Sequence, residues 1–278
     1  MTNEELEQHV AAARDGDAAA LERVVHAVMD LVHDLAARML WCPDDAADAT
    51  QEILIRVATR LSTYRGEAAF RTWVYRVATN HLLDFRKSRV ERQAWTFDTF
   101  AADLASTVDA IAAPASYDAD QALLEEEVKV GCTRGMLLCL SRDDRIAYVL
   151  GDVFQLHGDD AAYVCSVSPA AFRQRLARAR SRLRGFMTAW CGHVDEAAPC
   201  RCSKRVAPAI ASGRVDPANL LFAGERKRAL PVVESTREMD ALHRMSRVFT
   251  EHPTRRPPER VLNGLRQFFA DHGLRLLH

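Results

Sequence analysis

Residues 168 to 184 read Ser168-Pro-Ala-Ala-Phe-Arg-Gln-Arg-Leu-Ala-Arg-Ala-Arg-Ser-Arg-Leu-Arg184, and this stretch decides how the C-terminal half of the chain is expected to fold. Ser168 is a typical helix N-cap, and Pro169 suits the first helical position. Apolar residues then recur at helical spacing as one stripe: Phe172, Leu176, Ala179, Leu183 and Phe186. The pattern predicts an amphipathic helix with one buried face.

The other faces of this helix carry arginine. The six arginines are Arg173, Arg175, Arg178, Arg180, Arg182 and Arg184. No Asp or Glu occurs between Asp160 and Asp195. Because uncompensated like charges repel, the arginine faces are predicted to bind a polyanion. An ordinary solvated basic surface is the alternative interpretation.

A shorter helix is predicted just upstream, over Asp160-Ala-Ala-Tyr-Val164, and residues 165–168 read as a turn. Two helices joined by so short a turn have the proportions of a helix-turn-helix. In that motif the second helix lies in a groove of DNA. The sequence therefore predicts a duplex DNA-binding unit in this half of the chain.

Composition sets broader limits. The 278 residues are 48% hydrophobic and 27% charged, with a net charge of −1, which is ordinary for a soluble globular protein of two or three domains. No run of 18 apolar residues occurs and the first residues are acidic, so we expect a cytoplasmic protein with no membrane partner. The sequence has no glycine-rich phosphate loop and no nucleophile with a paired histidine, so no enzymatic activity is expected.

The N-terminal half is predicted to be helical throughout. Apolar periodicity marks helices over 18–40 and from Pro43 to about residue 61, and a third helix begins near Phe70. One stripe of the third helix mixes an aromatic residue, an amide and charges: Trp73, Arg76, Asn80, Asp84 and Lys87. Such a face could stack on an unpaired base and hold phosphate. A salt-bridged surface with Trp73 in the core is equally compatible with the spacing.

An acidic segment separates the two halves. Residues 93–128 contain no Lys or Arg and show no helical apolar periodicity. We therefore predict an all-α protein with four parts. The parts are a helical domain over 1–92, an acidic linker over 93–128, a helix-turn-helix domain over 129–189 and a helical extension over 190–278.

The two halves together resemble the sigma-70 family of bacterial RNA polymerase sigma factors, in the compact extracytoplasmic function (ECF) group. Residues 47–57, Ala-Asp-Ala-Thr-Gln-Glu-Ile-Leu-Ile-Arg-Val, are similar to the acidic helix of region 2. Residues 64–89 are similar to the segment that follows it, and residues 137–187 are similar to region 4. The resemblance covers about 170 residues in the family's order, and it implies a promoter-specific transcription initiation factor.

The resemblance also implies roles for individual residues. Those expected to bind core RNA polymerase are Asp48, Gln51 and Glu52. Those expected to hold the melted −10 element of promoter DNA are Trp73, Arg76, Asn80, Asp84 and Arg86. Those expected to contact the −35 duplex are Ser168, Arg173, Gln174, Arg175 and Arg178. No cofactor is required, an anti-sigma factor is a candidate partner, and Ser166 stands where the turn of the motif usually has glycine.

The C-terminal extension opens with four soft metal ligands: Cys191, His193, Cys200 and Cys202. They could close a tetrahedral site for zinc or a similar metal, although a structural turn with incidental cysteines explains the spacing equally well. The other cysteines, Cys42, Cys132, Cys139 and Cys165, are expected to be small core residues. Two amphipathic helices are predicted over 234–252 and 258–269, and they could regulate the chain by packing on its other domains.

A stand-alone helix-turn-helix regulator is the alternative function. It would explain the DNA-binding unit near the middle of the chain. It would not explain the acidic helix over 47–57 or the mixed face that begins at Trp73.

Overall fold

The computed structural model describes residues 1–85, 95–107, 121–223, 249–250 and 257–271. Across these ranges the regular structure is helical, apart from one isolated bridge between Cys191 and Cys200. The predicted all-α class is confirmed. None of the helices in these ranges has the length and apolar character needed to cross a membrane.

Eleven α-helices lie within the described ranges. Their bounds are α1 Asn3–Arg14, α2 Ala18–Met39, α3 Pro43–Thr59, α4 Phe70–Asp84, α5 Phe97–Ala105, α6 Gln121–Leu138, α7 Arg142–Tyr148, α8 Gly158–Val164, α9 Pro169–Trp190, α10 Cys202–Ala211 and α11 Glu259–Asp271. A five-residue π-helical turn, Val149–Val153, continues α7. The helices predicted from periodicity in both halves are present as α2, α3, α4, α8 and α9.

Helices α1 to α4 form the N-terminal bundle. Asp17 caps α2 by accepting a hydrogen bond from the backbone N–H of Ala20, and Pro43 opens α3 at its first position. Glu7 on α1 accepts hydrogen bonds from the Tyr64 hydroxyl and from the backbone N–H of Phe70, both at 3.0 Å. This carboxylate therefore fixes the start of α4 against α1.

Helices α7, α8 and α9 build the helix-turn-helix and pack directly on the N-terminal bundle. Arg145 of α7 is 2% exposed, and its guanidinium donates to the carbonyl oxygens of Leu137 at 2.9 Å and of Met39, in α2, at 2.5 Å. The Tyr75 ring of α4 lies 5.6 Å from the Phe154 ring. The two halves thus share one continuous hydrophobic core.

The segment expected to be a linker contains helical structure. Helix α5 lies wholly within it, and α6 begins at Gln121, before residue 129. Helix α5 forms because Phe100 and Leu104 are buried, with Phe100 stacked on Phe186 at a centroid distance of 5.3 Å. The expectation that this segment lacks helical apolar periodicity was wrong, because a nine-residue helix presents too few apolar positions to stand out.

The C-terminal extension folds back over the rest of the chain. Helix α10 packs on α6 around a small core of its own, and the Glu127 carboxylate accepts hydrogen bonds from three successive backbone N–H groups, those of residues 221–223, at 2.7–2.9 Å. Helix α11 packs on α3 and confirms the helix predicted over 258–269. The helix predicted over 234–252 lies almost entirely outside the described residues.

Candidate nucleic-acid and polymerase interfaces

A cleft of about 380 Å³ opens on one side of α4. Four residues predicted to hold the −10 element line it, namely Trp73, Arg76, Asn80 and Asp84. Their spacing of three or four residues places them on one face of α4, so the cleft follows from the helical period. The fifth predicted residue, Arg86, lies outside the described part of the chain.

Trp73 is a core residue as well as a wall of the cleft. Its side chain is 8% exposed, and its ring lies 5.5 Å from that of Phe70 and 5.7 Å from that of Tyr64. Of the two interpretations that the spacing left open, the structure therefore has Trp73 in the core. Trp73 offers only an edge to the cleft, because aromatic packing holds the rest of the ring.

The opposite wall of the cleft was not predicted. It is formed by Arg56, Arg60 and Thr63, and His81 joins the α4 side. His81 is buried, and its Nε2 has no hydrogen-bond partner among the described residues. Burial and the neighbouring Arg56 lower the pKa of His81, so a neutral imidazole faces the cleft at neutral pH. The cleft is basic because three arginines, Arg56, Arg60 and Arg76, line it. The sequence did not indicate this charge, because it does not show that α3 and α4 are adjacent.

The predicted polymerase-binding residues share one face of α3. Asp48, Gln51 and Glu52 are three and four residues apart, which brings them together on the helix surface. Asp48 and Glu52 are exposed, whereas Gln51 is half-buried. Gln51 is covered because its side chain lies directly against Gly264 of α11.

Half of the six α9 arginines are compensated within the chain, which corrects in part the expectation of an unpaired basic surface. Three of them form ion pairs with carboxylates from α7 and from the π-helical turn. The pairs are Arg175 with Asp143 at 3.0 Å, Arg178 with Asp144 at 2.9 Å and Arg180 with Asp152 at 2.5 Å. The acids come from residues earlier in the chain, so inspection of α9 alone could not reveal them.

The first two turns of α9 are the part best placed to meet DNA. Arg173 and Gln174 are exposed there, and in a helix-turn-helix the N-terminal residues of the second helix contact base edges. The Ser168 hydroxyl oxygen accepts a hydrogen bond from the backbone N–H of Ala171 at 3.2 Å, so Ser168 acts as the predicted N-cap. Ser166 in the turn adopts a left-handed conformation, with φ of 55°.

The predicted metal ligands are only partly assembled. Cys202 Sγ lies 3.3 Å from His193 Nε2, and Cys191 and Cys200 face each other across the isolated bridge. Within the described ranges, no group of three or more His, Cys, Asp or Glu side chains is arranged to hold a metal ion. The ligand set therefore stays a prediction.

Cys132 of α6 belongs to the same neighbourhood, which the sequence did not indicate. Burial and the thiolates of Cys200, Cys202 and Cys191 raise its pKa. Burial also raises the pKa of Cys202 to about 12 and lowers that of His193. The Cys202 thiol is consequently protonated at neutral pH, and a metal bound there would have to displace its proton.

The remaining cysteines divide into two kinds. Cys139 and Cys165 are buried, and burial raises the pKa of each to about 12, which confirms them as inert core residues. Cys42 is half-buried at the N-cap of α3. It is therefore less enclosed than the sequence led us to expect.

Known proteins match the N-terminal part of this chain and, over longer alignments, about two thirds of its length. Residues 24–92, which include α3 and the cleft, match the family model for sigma-70 region 2. A Pseudomonas aeruginosa protein named RNA polymerase sigma-H factor is 27% identical over 183 residues, which cover 66% of this chain and 94% of the relative. The ECF RNA polymerase sigma factor SigE of Mycolicibacterium smegmatis is 28% identical over 178 residues, covering 62% of this chain and 64% of that protein.

Among solved structures, CnrH in complex with the cytosolic domain of CnrY aligns with a TM-score of 0.46 and 20% identity, covering 65% of this chain and 96% of CnrH. The region 2 match and the named relatives agree with the motifs in both halves and support an ECF sigma factor of the sigma-70 family.

Proposed function

We propose that this chain binds core RNA polymerase and directs it to promoters, with separate surfaces for polymerase, the −10 element and the −35 element. The cleft on α4 carries this proposal. It combines an aromatic edge, an exposed amide and three guanidinium groups in one concave site. A nucleotide taken out of the base stack needs this combination, because its base must be read while its phosphates are neutralised.

The acidic face of α3 is the proposed polymerase-binding surface, and the start of α9 is the proposed −35 reader. Arginine reads guanine and glutamine reads adenine by paired hydrogen bonds in the major groove. Arg173 and Gln174 present those two chemistries side by side. A stand-alone helix-turn-helix regulator does not account for the sigma-70 region 2 match over residues 24–92.

Promoter binding by both surfaces requires the chain to open. The −35 and −10 elements are roughly 25 base pairs apart, or about 85 Å along B-DNA at 3.4 Å per pair. Helix α8 packs on α4, and Arg76 of the cleft lies over the Tyr163 ring at 4.4 Å. The conformation described here is therefore a closed form, and the helix-turn-helix must leave α4 when promoter DNA is bound.

Promoter selection from a random library separates the two reading surfaces. With core polymerase and the full chain, Asn80→Ala should relax the sequence preference at the −10 element and leave the −35 preference intact. Gln174→Ala should do the reverse. Arg23→Ala, an exposed change on α2, should alter neither preference. Equal loss at both elements from either variant would contradict the assignment of surfaces.

A zinc site in the C-terminal extension is a separate proposal, supported by the contact between Cys202 and His193. Zinc would have to draw in two further thiols and release their protons, so uptake should weaken as the pH falls. Titration of the reduced full chain against a chromophoric chelator should show one zinc per chain, and Cys202→Ser should abolish it. An unchanged chelator spectrum with the wild-type chain would refute the site.

A further inference from the structure

Helix α11 covers part of the surface assigned to polymerase binding. Its apolar residues Val261, Leu265 and Phe269 are 1%, 2% and 2% exposed and belong to the main hydrophobic core. Helix α11 packs on α3, the helix that carries Asp48, Gln51 and Glu52. Helix α11 therefore lies on the proposed polymerase-binding face of α3.

Charge complementarity fixes the orientation of α11 on α3. The Arg260 guanidinium lies 2.9 Å from Asp44 Oδ1 and 3.8 Å from Asp48 Oδ1, and it donates to the Asp44 carbonyl oxygen at 3.0 Å. The first turns of α3 carry carboxylates, and opposite charge attracts a cation from the start of α11 to them. Arg260 thereby makes the kind of contact that a basic surface of polymerase would make with Asp48.

Close packing occurs at the centre of the contact. The Gln51 side-chain amide lies directly on the α11 backbone at Gly264 and leaves no room there for a Cβ atom. Gln51 is consequently half-buried, although it lies on the same face as exposed Asp48 and Glu52. While α11 is in place, it shields part of the Gln51 side chain from polymerase.

A second contact joins the same tail to the helix-turn-helix domain. The Phe249 side chain is 3% exposed, and its ring meets that of Tyr148 edge to face at 5.2 Å. Tyr148 is the last residue of α7. The tail thus touches both halves in their closed arrangement.

We propose that α11 is an internal competitor for the polymerase-binding face of α3, so that core polymerase binds only after α11 leaves. This inference rests on the proposed function. When a binding surface is covered for most of the time, the apparent affinity for its partner falls. It falls in proportion to the fraction of molecules in which the surface is free. Variants that release α11 should therefore bind polymerase more tightly, although they remove contacts rather than add them.

The test uses full-length variants and their affinity for core polymerase, measured with a fluorescently labelled chain. Arg260→Glu places a carboxylate against Asp44 and Asp48, and Leu265→Asp buries a carboxylate in the contact. If α11 is closed at least nine-tenths of the time, full release by either variant should tighten binding by about tenfold or more. The matched controls Arg266→Glu and Asn263→Asp change the exposed side of α11 and should bind as the wild type does.

Hydrogen exchange gives an independent measurement. Residues 259–271 should exchange faster in Arg260→Glu than in Arg266→Glu, and faster in the wild type once core polymerase is added. If wild type, Arg260→Glu, Leu265→Asp and the controls all bind polymerase equally, α11 does not compete with polymerase. The proposed sigma role would then still stand. Failure of every chain, wild type included, to bind core polymerase would overturn the proposed function itself.

Discussion

The guanidinium of Arg142 donates a hydrogen bond to the carbonyl oxygen of Phe85 at 2.6 Å, and the same Nη1 reaches the carbonyls of Leu82 and Leu83 at 3.2 and 3.0 Å. These carbonyls lie at the C-terminal end of α4, where backbone acceptors lack helical partners and a cation is favoured. A residue of the helix-turn-helix domain therefore caps the helix that carries the −10 cleft.

Removing this cap should loosen the closed form. Arg142→Ala is expected to lower the free energy of unfolding by about 1.5–3 kcal/mol, the usual range for hydrogen bonds from a charged donor. Arg142→Lys, which keeps the charge, should lose less. Hydrogen exchange over residues 70–84 measures the effect, and unchanged protection in Arg142→Ala would show that the cap does not hold the domains together.

His33 should make stability depend on pH. Its Nδ1 lies 3.1 Å from Thr50 Oγ1, and because that hydroxyl donates to the Ala46 carbonyl, Nδ1 carries the proton shared with Thr50. Burial, with a smaller contribution from Arg134, lowers the pKa of His33 from 6.5 to about 4. Between those values the unfolded chain binds a proton that the folded chain does not, so stability falls as the pH drops.

The loss should be on the order of 3 kcal/mol between pH 6.5 and 4. Urea unfolding at several pH values measures it. His33→Asn, which keeps a donor for Thr50 but does not titrate, should flatten this part of the profile. An identical slope in His33→Asn would mean that another group causes the pH dependence.

Ser166 should be a site where glycine stabilises the chain. With φ of 55° it pays the steric cost of the left-handed region, about 1–2 kcal/mol, which glycine avoids. After allowing for the backbone entropy of glycine, Ser166→Gly should raise the free energy of unfolding by about 0.5–1 kcal/mol. The matched change Ser181→Gly, exposed within α9, should lower it by about the same amount. A loss of thermal stability in Ser166→Gly would contradict the account of the turn.

Arg56 and Arg60 should contribute to DNA binding although neither was predicted. If each neutralises one phosphate of a single strand, the double variant Arg56→Ala/Arg60→Ala should reduce the slope of log affinity against log salt by about 1.4. The measurement uses the chain bound to core polymerase and a promoter with a pre-melted −10 region. The slope should not change with Arg23→Ala, and an unchanged slope in the double variant would remove both arginines from the site.

Local patterns predicted much of the fold. The apolar stripes of α2, α3 and α9 and the cap at Ser168 depend on neighbours within four residues, so they are visible in the sequence. The four residues on one face of α4 were predicted for the same reason. These four residues form a cleft with Arg56 and Arg60 only because α3 packs beside α4. Apolar periodicity does not specify which helices pack together.

Long-range pairings account for what was missed. The acids that pair with three α9 arginines lie up to 34 residues earlier in the chain. The contact that covers Gln51 comes from Gly264, which is far away in the sequence. Helix α10 was not predicted because Pro208 interrupts its pattern. Cys132 packs against the core as predicted, but nothing in the sequence places α6 beside the C-terminal cysteines.

We propose above all that this chain gives core RNA polymerase its promoter specificity. The most direct measurement is run-off transcription by core polymerase on a promoter library, with and without the full chain. The account predicts transcripts that depend on the chain and start downstream of a shared −35 and −10 pair. Binding of the chain to duplex DNA with no polymerase association and no dependent transcripts would contradict it.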